Sequence, residues 1–208
     1  MIVGVCGLIG SGKGTAADVL VDSYGFQKLS FADKLKDAAA EIFGWDRDLL
    51  EGDTPHSRAW REQPDEFWTS ELGKPVTPRL ALQLLGTDCM RNGFYDGIWV
   101  SLVKQAILKN PQNDWVISDV RFPNEIRMIR SLQGEIWWVK RGELPQWFTD
   151  YRNNNIEPIE IHPSEWRWAR TNFEYEIDNN GTPADLKNQV IDRLASSEHL
   201  LFARCVDN

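Results

Sequence analysis

The sequence predicts an α/β fold: a five-stranded parallel sheet with helices on both faces, a helical insertion and a lid. Three observations predict it. A short apolar run, Ile2 to Cys6, stops at a glycine loop, Gly7-Leu-Ile-Gly10-Ser11-Gly12-Lys13, and helical spacing follows at Ala16, Ala17, Val19 and Leu20. Short β-type runs then alternate with helical stretches, the pattern of parallel βαβ units. One run, Trp115-Val-Ile-Ser-Asp119, ends in a carboxylate at the sheet edge where ligands of such folds gather.

Strand, glycine loop, lysine and helix in this order make a P-loop, the phosphate-binding loop of the P-loop NTPases. Its glycines let backbone N–H groups turn inward around a phosphate. The helix that follows adds free N–H groups and a positive dipole end. Gly10, Ser11, Gly12, Lys13, Gly14 and Thr15 are therefore candidates for holding nucleotide phosphates, with Lys13 as a point charge on the terminal ones. The plainer reading is a tight turn that only packs a helix on a strand. The hydroxyl that usually holds magnesium at position 14 is replaced by Gly14 and comes one residue later, at Thr15. Gly-Lys-Gly-Thr resembles the loop of nucleoside monophosphate kinases such as adenylate kinases. There the metal is held largely through water and substrate phosphates, which suits Mg²⁺ because it keeps several waters.

At 208 residues the chain fits one domain with length to spare for insertions. The net charge of −8, from 31 acidic and 23 basic residues, argues against a general nucleic-acid surface. A small anionic substrate needs only a local basic pocket. Cys6, Cys89 and Cys205 show no paired spacing, so neither a disulfide framework nor a zinc site is expected. No run of about 18 apolar residues is present. The expectation is a soluble, cytoplasmic protein with no membrane partner.

The first helix is predicted over Lys13–Tyr24, stopped by Gly25, and a second strand over Phe26–Phe31. A helix follows over Ala32–Phe43, with Leu35, Ala38, Ala39, Ile42 and Phe43 inward. The turn before it places Lys34 or Lys36 at the strand end, able to meet a phosphate or simply solvated beside a capping Asp33. Residues 46–76 carry Trp60, Trp68 and several prolines and charges, and read as a mostly helical insertion. Arg58 and Arg61, one turn apart, either clamp a phosphate or form a solvated face. Thr77 and Pro78 open the next helix, with Leu80, Ala81, Leu84 and Leu85 as its buried stripe. Arg79 and Gln83 share its other face. They fit a base pocket, through amide pairing and guanidinium grip, or a plain solvent-facing pair.

Asp96–Leu108 reads as a helix with Trp99, Val103 and Ile107 inward. Asp119, at the tip of its strand, is the candidate partner of Mg²⁺ or its waters, or else a helix cap. Arg121 either reaches a phosphate or pairs with Asp119 or Glu125. Strands are predicted at Glu135–Lys140 and Phe173–Ile177. Between them, residues 141–170 are the expected lid, with Arg141 its best catalytic candidate because it directly follows a strand. His162-Pro-Ser-Glu165 reads as structural or as lid capping. The loop of Asn180 and Gly181 is expected beside the P-loop, contacting a nucleotide base by backbone, before a helix over Pro183–Ser196. The tail carries Leu200, Leu201 and Phe202 and is expected to dock on the body.

These parts add up to phosphoryl transfer. No residue falls in a recognisable catalytic-base motif. That favours an acceptor phosphate, whose oxygen is already anionic and needs only positioning and charge neutralisation. The P-loop ending Gly-Lys-Gly-Thr, Thr77-Pro-Arg79, Leu82-Gln83-Leu-Leu-Gly-Thr-Asp88, Trp99-Val100, Ser118-Asp-Val-Arg-Phe-Pro-Asn-Glu125, His162-Pro-Ser-Glu165 and Asn179-Asn-Gly-Thr182 come in the order of the bacteriophage deoxynucleoside monophosphate kinases. The chain resembles that family over nearly its whole length. The resemblance implies transfer of the ATP γ-phosphate to a dNMP, with Mg²⁺, by a P-loop kinase domain that is often a homodimer. It implies that Lys13 binds ATP phosphates and that Arg79, Gln83 and Arg121 fall in the deoxynucleotide pocket, with Asp88 at the end of the same motif. The insertion at 46–76 then covers the acceptor. Two rivals are a P-loop kinase with another acceptor, such as dephospho-coenzyme A, and a non-enzymatic nucleotide-binding module. A guanine-specific switch would need an Asn-Lys-x-Asp motif, which is absent.

Overall fold

The computed structural model describes residues 1–206, with side chains through residue 196. The chain divides into two compact units: one joins Met1–Ser30 to the chain from Ile107 onward, and the other is Phe31–Ala106.

The first unit is built on five strands, β1 (Ile2–Cys6), β2 (Gln27–Leu29), β3 (Trp115–Ile117), β4 (Glu135–Lys140) and β5 (Tyr175–Asp178). Their order is β2-β3-β1-β4-β5, and every neighbouring pair is parallel. Parallel strands buried on both faces read as continuous apolar runs, and β1 and β4 do. Val3, Val5, Trp137, Val139 and Ile177 pack with Ala16, Ala17 and Leu20 of α1 (Lys13–Tyr24) and Leu186 and Val190 of α9 (Pro183–Val206). Gly4 faces the opposite side. A Cβ there would lie 2.6 Å from Ile129 of α7 (Pro123–Ser131) and 3.0 Å from Ile136 and Val120. Helices therefore cover both faces, as the sequence implied.

After β4 comes α8 (Gln146–Asn154). Phe148 and Trp168 are fully buried and meet Trp138, at ring distances of 5.7 and 6.1 Å. Arg152 lies 4.6 Å over the Trp138 ring and donates to the Ala169 carbonyl, so it serves this aromatic cluster. Phe173 stacks there too, 5.1 Å from Trp138. That draws it out of the strand expected to begin at 173, and Glu174 instead accepts a hydrogen bond from Ile136 N–H with its carboxylate. The expected docking of Leu200, Leu201 and Phe202 lies outside the described side chains.

The second unit contains α2 (Asp33–Phe43), α3 (Pro55–Glu62), α4 (Glu66–Leu72), α5 (Pro78–Gln83), a π-helical segment (Leu84–Asn92) and most of α6 (Ile98–Lys109). Side-chain caps start three of these helices: Thr54 with Ser57, Asp65, and Thr77 followed by Pro78. The small core is Ala39, Trp45, Leu50 and Ala81, flanked by Phe43, Trp60 and Trp68. Phe43 stacks on Trp45 at 4.4 Å, and the Trp45 indole donates to Asp65 at 2.8 Å. Two residues expected inside are not: Ile42 is 58% and Leu84 45% exposed. The coil widens from α-helical to π-helical at Leu84, so the apolar phase read from 3.6-residue spacing breaks there.

Candidate active site

The P-loop follows β1 directly. Gly10 (φ 77°) and Gly12 (φ 98°) occupy backbone conformations that favour glycine. A Cβ on Gly12 would lie 2.3 Å from Asn179 Nδ2, an amide that donates to the Ser11 carbonyl at 2.9 Å. The loop after β5 thus braces the P-loop, but through Asn179. Asn180 instead accepts from the Gly142 N–H at 2.7 Å, and Gly181 lies against Asp185. Ser11 is 3% exposed, and its Oγ has no hydrogen-bond partner among the described residues. A glycine cradle with a buried, unsatisfied hydroxyl is fitted to an oxyanion ligand such as a phosphate.

Lys13 bends over its own loop and donates to the Gly7 and Leu8 carbonyls at 2.7 and 2.8 Å. Burial, helped by the positive charge of Arg121, lowers its pKa from 10.5 to about 8, against the opposing pull of Glu165 and Asp119. Lys13, Arg121, Asp119 and Glu165 are therefore electrostatic neighbours. Cys6, buried in β1, has its thiol pKa pushed far up, mainly by desolvation, and stays a neutral thiol. Thr15 is exposed in the first turn of α1, and a Cβ at Gly14 would meet nothing within 4 Å.

Asp119 stands two residues past the end of β3, the neighbour of β1. The Ser30 hydroxyl donates to its Oδ2 at 2.6 Å, tying the ends of β2 and β3 together. Asp119 and Thr15 offer hard oxygen donors, the type that suits Mg²⁺. Arg121 pairs with neither of the carboxylates considered from sequence through its guanidinium. Its Nη1 donates to Glu165 at 2.6 Å and lies 3.4 Å from Ser164 Oγ, while its backbone N–H donates to Glu125 at 2.7 Å. Glu125, 2% exposed, takes the Phe122 N–H as well, at 2.9 Å. Glu165 is a functional neighbour that sequence reasoning missed, while Glu125, considered there as a partner of Arg121, holds its backbone N–H and not its guanidinium. The signal for Glu125 was present, three residues into a helix opening at Phe122-Pro123, where a carboxylate bonds the N-terminal N–H groups. Arg141 is exposed and makes no hydrogen bond or ion pair among the described residues.

In the second unit, Arg79 and Gln83 lie exposed on α5, and Arg79 donates to Glu62 of α3 at 2.7 Å. Lys34 pairs with Asp37 at 2.9 Å and is two-thirds exposed. Lys36 is the more buried lysine and pairs with Glu51. Arg58 is exposed. Arg61 is not: its guanidinium covers Gly52, it donates to the Leu50 carbonyl at 3.4 Å, and its Nε is buried without a partner among the described residues. Burial, then the nearby Arg79, lowers its pKa. Asp88 is exposed in the π-helical segment, 3.4 Å from the Asn92 amide.

A phosphate cradle on a parallel sheet, its lysine beside a strand-end aspartate and an arginine, defines a P-loop phosphotransferase. Comparison with known proteins narrows the class. The family model described as Deoxynucleotide monophosphate kinase matches residues 58–152. A protein of Acanthamoeba polyphaga mimivirus, whose name places it among the deoxynucleotide monophosphate kinases, is 32% identical over 221 aligned residues, covering 100% of this chain and 97% of the relative. The Deoxynucleoside-5'-monophosphate kinase of Escherichia phage T5 is 42% identical over 55 residues, 26% of this chain and 22% of the relative. The crystal structure of TT1252 from Thermus thermophilus shares the fold, with a TM-score of 0.51 and 17% identity over 95% of this chain and 97% of that one. The chain belongs to the deoxynucleotide monophosphate kinase family, and it is a kinase acting on a small nucleotide.

Proposed function

We propose that the protein transfers the γ-phosphate of ATP to a deoxynucleoside monophosphate, with Mg²⁺, and that the residues of the first unit described above carry the transfer. The observation that supports this reading best is the grouping of Lys13, Asp119 and Arg121 at the carboxyl ends of β1 and β3. In the proposal, Gly10 to Thr15 wrap the donor phosphates with backbone N–H groups. Lys13 leaves the Gly7 and Leu8 carbonyls and neutralises charge on the terminal phosphates. Asp119, with Thr15, holds Mg²⁺ or its waters, and the ion neutralises charge on the phosphates when bound. Arg121 and Arg141 stabilise the equatorial oxygens of the group in flight. The acceptor oxygen is already anionic, so no general base is required, and the Glu165 carboxylate is committed to Arg121. Asn180 and Gly181 are assigned to the nucleotide base.

The acceptor is assigned to the second unit, through Lys34, Arg79, Gln83 and Asp88. Arg61 is a better phosphate clamp than Arg58, because it is partly desolvated and has no carboxylate partner among the described residues. Residues 46–76 are proposed to cover the acceptor. In residues 141–170, α8 is anchored by Phe148, so closure is assigned to the exposed stretch around Ile156 and Ile159. Cytoplasmic location and a homodimer complete the proposal. Among the described residues no helix is long and apolar enough to cross a membrane.

The test is an ADP-release assay with Mg²⁺-ATP and dAMP, dCMP, dGMP, dTMP, GMP or dephospho-coenzyme A. Turnover on one or more dNMPs with GMP poor is expected. Turnover on dephospho-coenzyme A alone would replace the acceptor and keep the donor site.

A further inference from the structure

The turn His162-Pro-Ser-Glu165 takes no direct part in the phosphate chemistry above, yet it grips the side chain that does. Glu165 Oε1 accepts from Arg121 Nη1 at 2.6 Å, and Ser164 Oγ stands 3.4 Å from the same nitrogen. The turn is itself braced. His162 Nδ1 meets Ser164 Oγ at 2.9 Å, and Glu165 N–H donates to the His162 carbonyl at 2.9 Å. The next residue, Trp166, is 3% exposed, packs edge-on against Tyr151 at 4.5 Å, and donates its indole N–H to the Ile161 carbonyl at 2.9 Å. From the other end, buried Glu125 holds the Arg121 backbone N–H.

A carboxylate this close to a phosphate site repels the ligand, and Glu165 is the strongest negative charge felt by Lys13. Its presence needs a compensating gain. An arginine side chain has many rotamers, and its planar fork carries five N–H donors. One carboxylate can fix the plane through Nη1 and leave other donors for a phosphate. We propose that Glu165 is a positioning residue: held by the His162–Ser164 turn, it orients the Arg121 guanidinium for the transferred phosphoryl group and stays paired with it through the reaction. This rests on the role of Arg121 proposed above.

Steady-state kinetics of Glu165→Gln, Glu165→Asp, Arg121→Ala and the Arg121→Ala/Glu165→Gln double variant test it, each checked for an unchanged thermal midpoint. Glu165→Gln keeps the size and an acceptor oxygen. It is expected to lower kcat about tenfold or more with substrate KM values within about threefold, because orientation acts in the transition state. Glu165→Asp should recover part of the loss. The double variant should be no slower than Arg121→Ala. Wild-type kcat in Glu165→Gln would overturn the inference. So would tighter substrate binding in that variant, which would make Glu165 a placeholder that phosphate displaces, or a further loss added on top of Arg121→Ala, which would make it merely structural. An impaired Arg121→Ala beside an intact Glu165→Gln sinks this inference alone. Wild-type turnover in Arg121→Ala sinks the proposed role of Arg121 as well.

Discussion

Lys13 shows how one side chain couples the P-loop to pH. In the folded protein it loses its proton at about pH 8, and in the unfolded chain near 10.5. Between those values the unfolded state binds more protons, so this group makes the fold more stable as pH rises from 8 toward 10.5. Nucleotide binding runs the other way. A phosphate favours the charged amine, so ATP binding above pH 8 must take up a proton at Lys13. The expected outcome is an ATP KM that climbs as pH passes about 8, with isothermal titration calorimetry in buffers of different ionisation enthalpy reporting proton uptake. A flat profile from pH 7 to 9, with no uptake, would contradict it. Lys13, Asp119 and the P-loop glycines were readable as candidates because each belongs to a local pattern. Glu165 was not, since its partner Arg121 is 44 residues away in sequence and nothing in the spacing announces the meeting.

At the scale of elements, β1 is the demanding piece. Its odd residues serve one helical layer and Gly4 the other, with α7 packed down onto the missing side chain. Gly4→Ala should overpack this contact and lower stability by about 1–3 kcal/mol. Urea unfolding checks it, with a lowered midpoint at unchanged slope expected and a wild-type midpoint counting against the packing argument. The helix boundaries came closest to expectation where chemistry marks them: α1 runs Lys13–Tyr24 to Gly25 (φ 73°), and α2 stops at Gly44 (φ 68°). The failures also have causes. β3 stops at Ile117, so Asp119 stands on a loop tied by Ser30 and not on the strand itself. Past Gln83 the chain turns π-helical, and 3.6-residue spacing no longer says which side chain points inward.

For the molecule as a whole, donor binding should be visible as stability. A ligand that binds only the folded state, at about 100 times its Kd, adds about 2.7 kcal/mol. For a chain of about 200 residues that is a rise of roughly 5–10 °C in Tm. Mg²⁺-ATP is expected to give such a shift in the wild type. Lys13→Ala should keep its own cooperative melt and lose most of the shift. A full shift in that variant would remove Lys13 from the donor site.

The sequence by itself determined the class of fold and the phosphate loop, and it nominated Arg79 and Gln83 for the proposed acceptor site. These depend on periodicity, on glycines at required backbone angles and on motifs within a few residues of one another. Only the tertiary structure decided the strand order, the bracing of the P-loop by Asn179 in place of its neighbours, the burial of Arg61 over Arg58 and the grip of Glu165 on Arg121. Each of those joins residues distant in the chain. The contact energy is set by where the backbone returns, and no local pattern of side chains encodes that return.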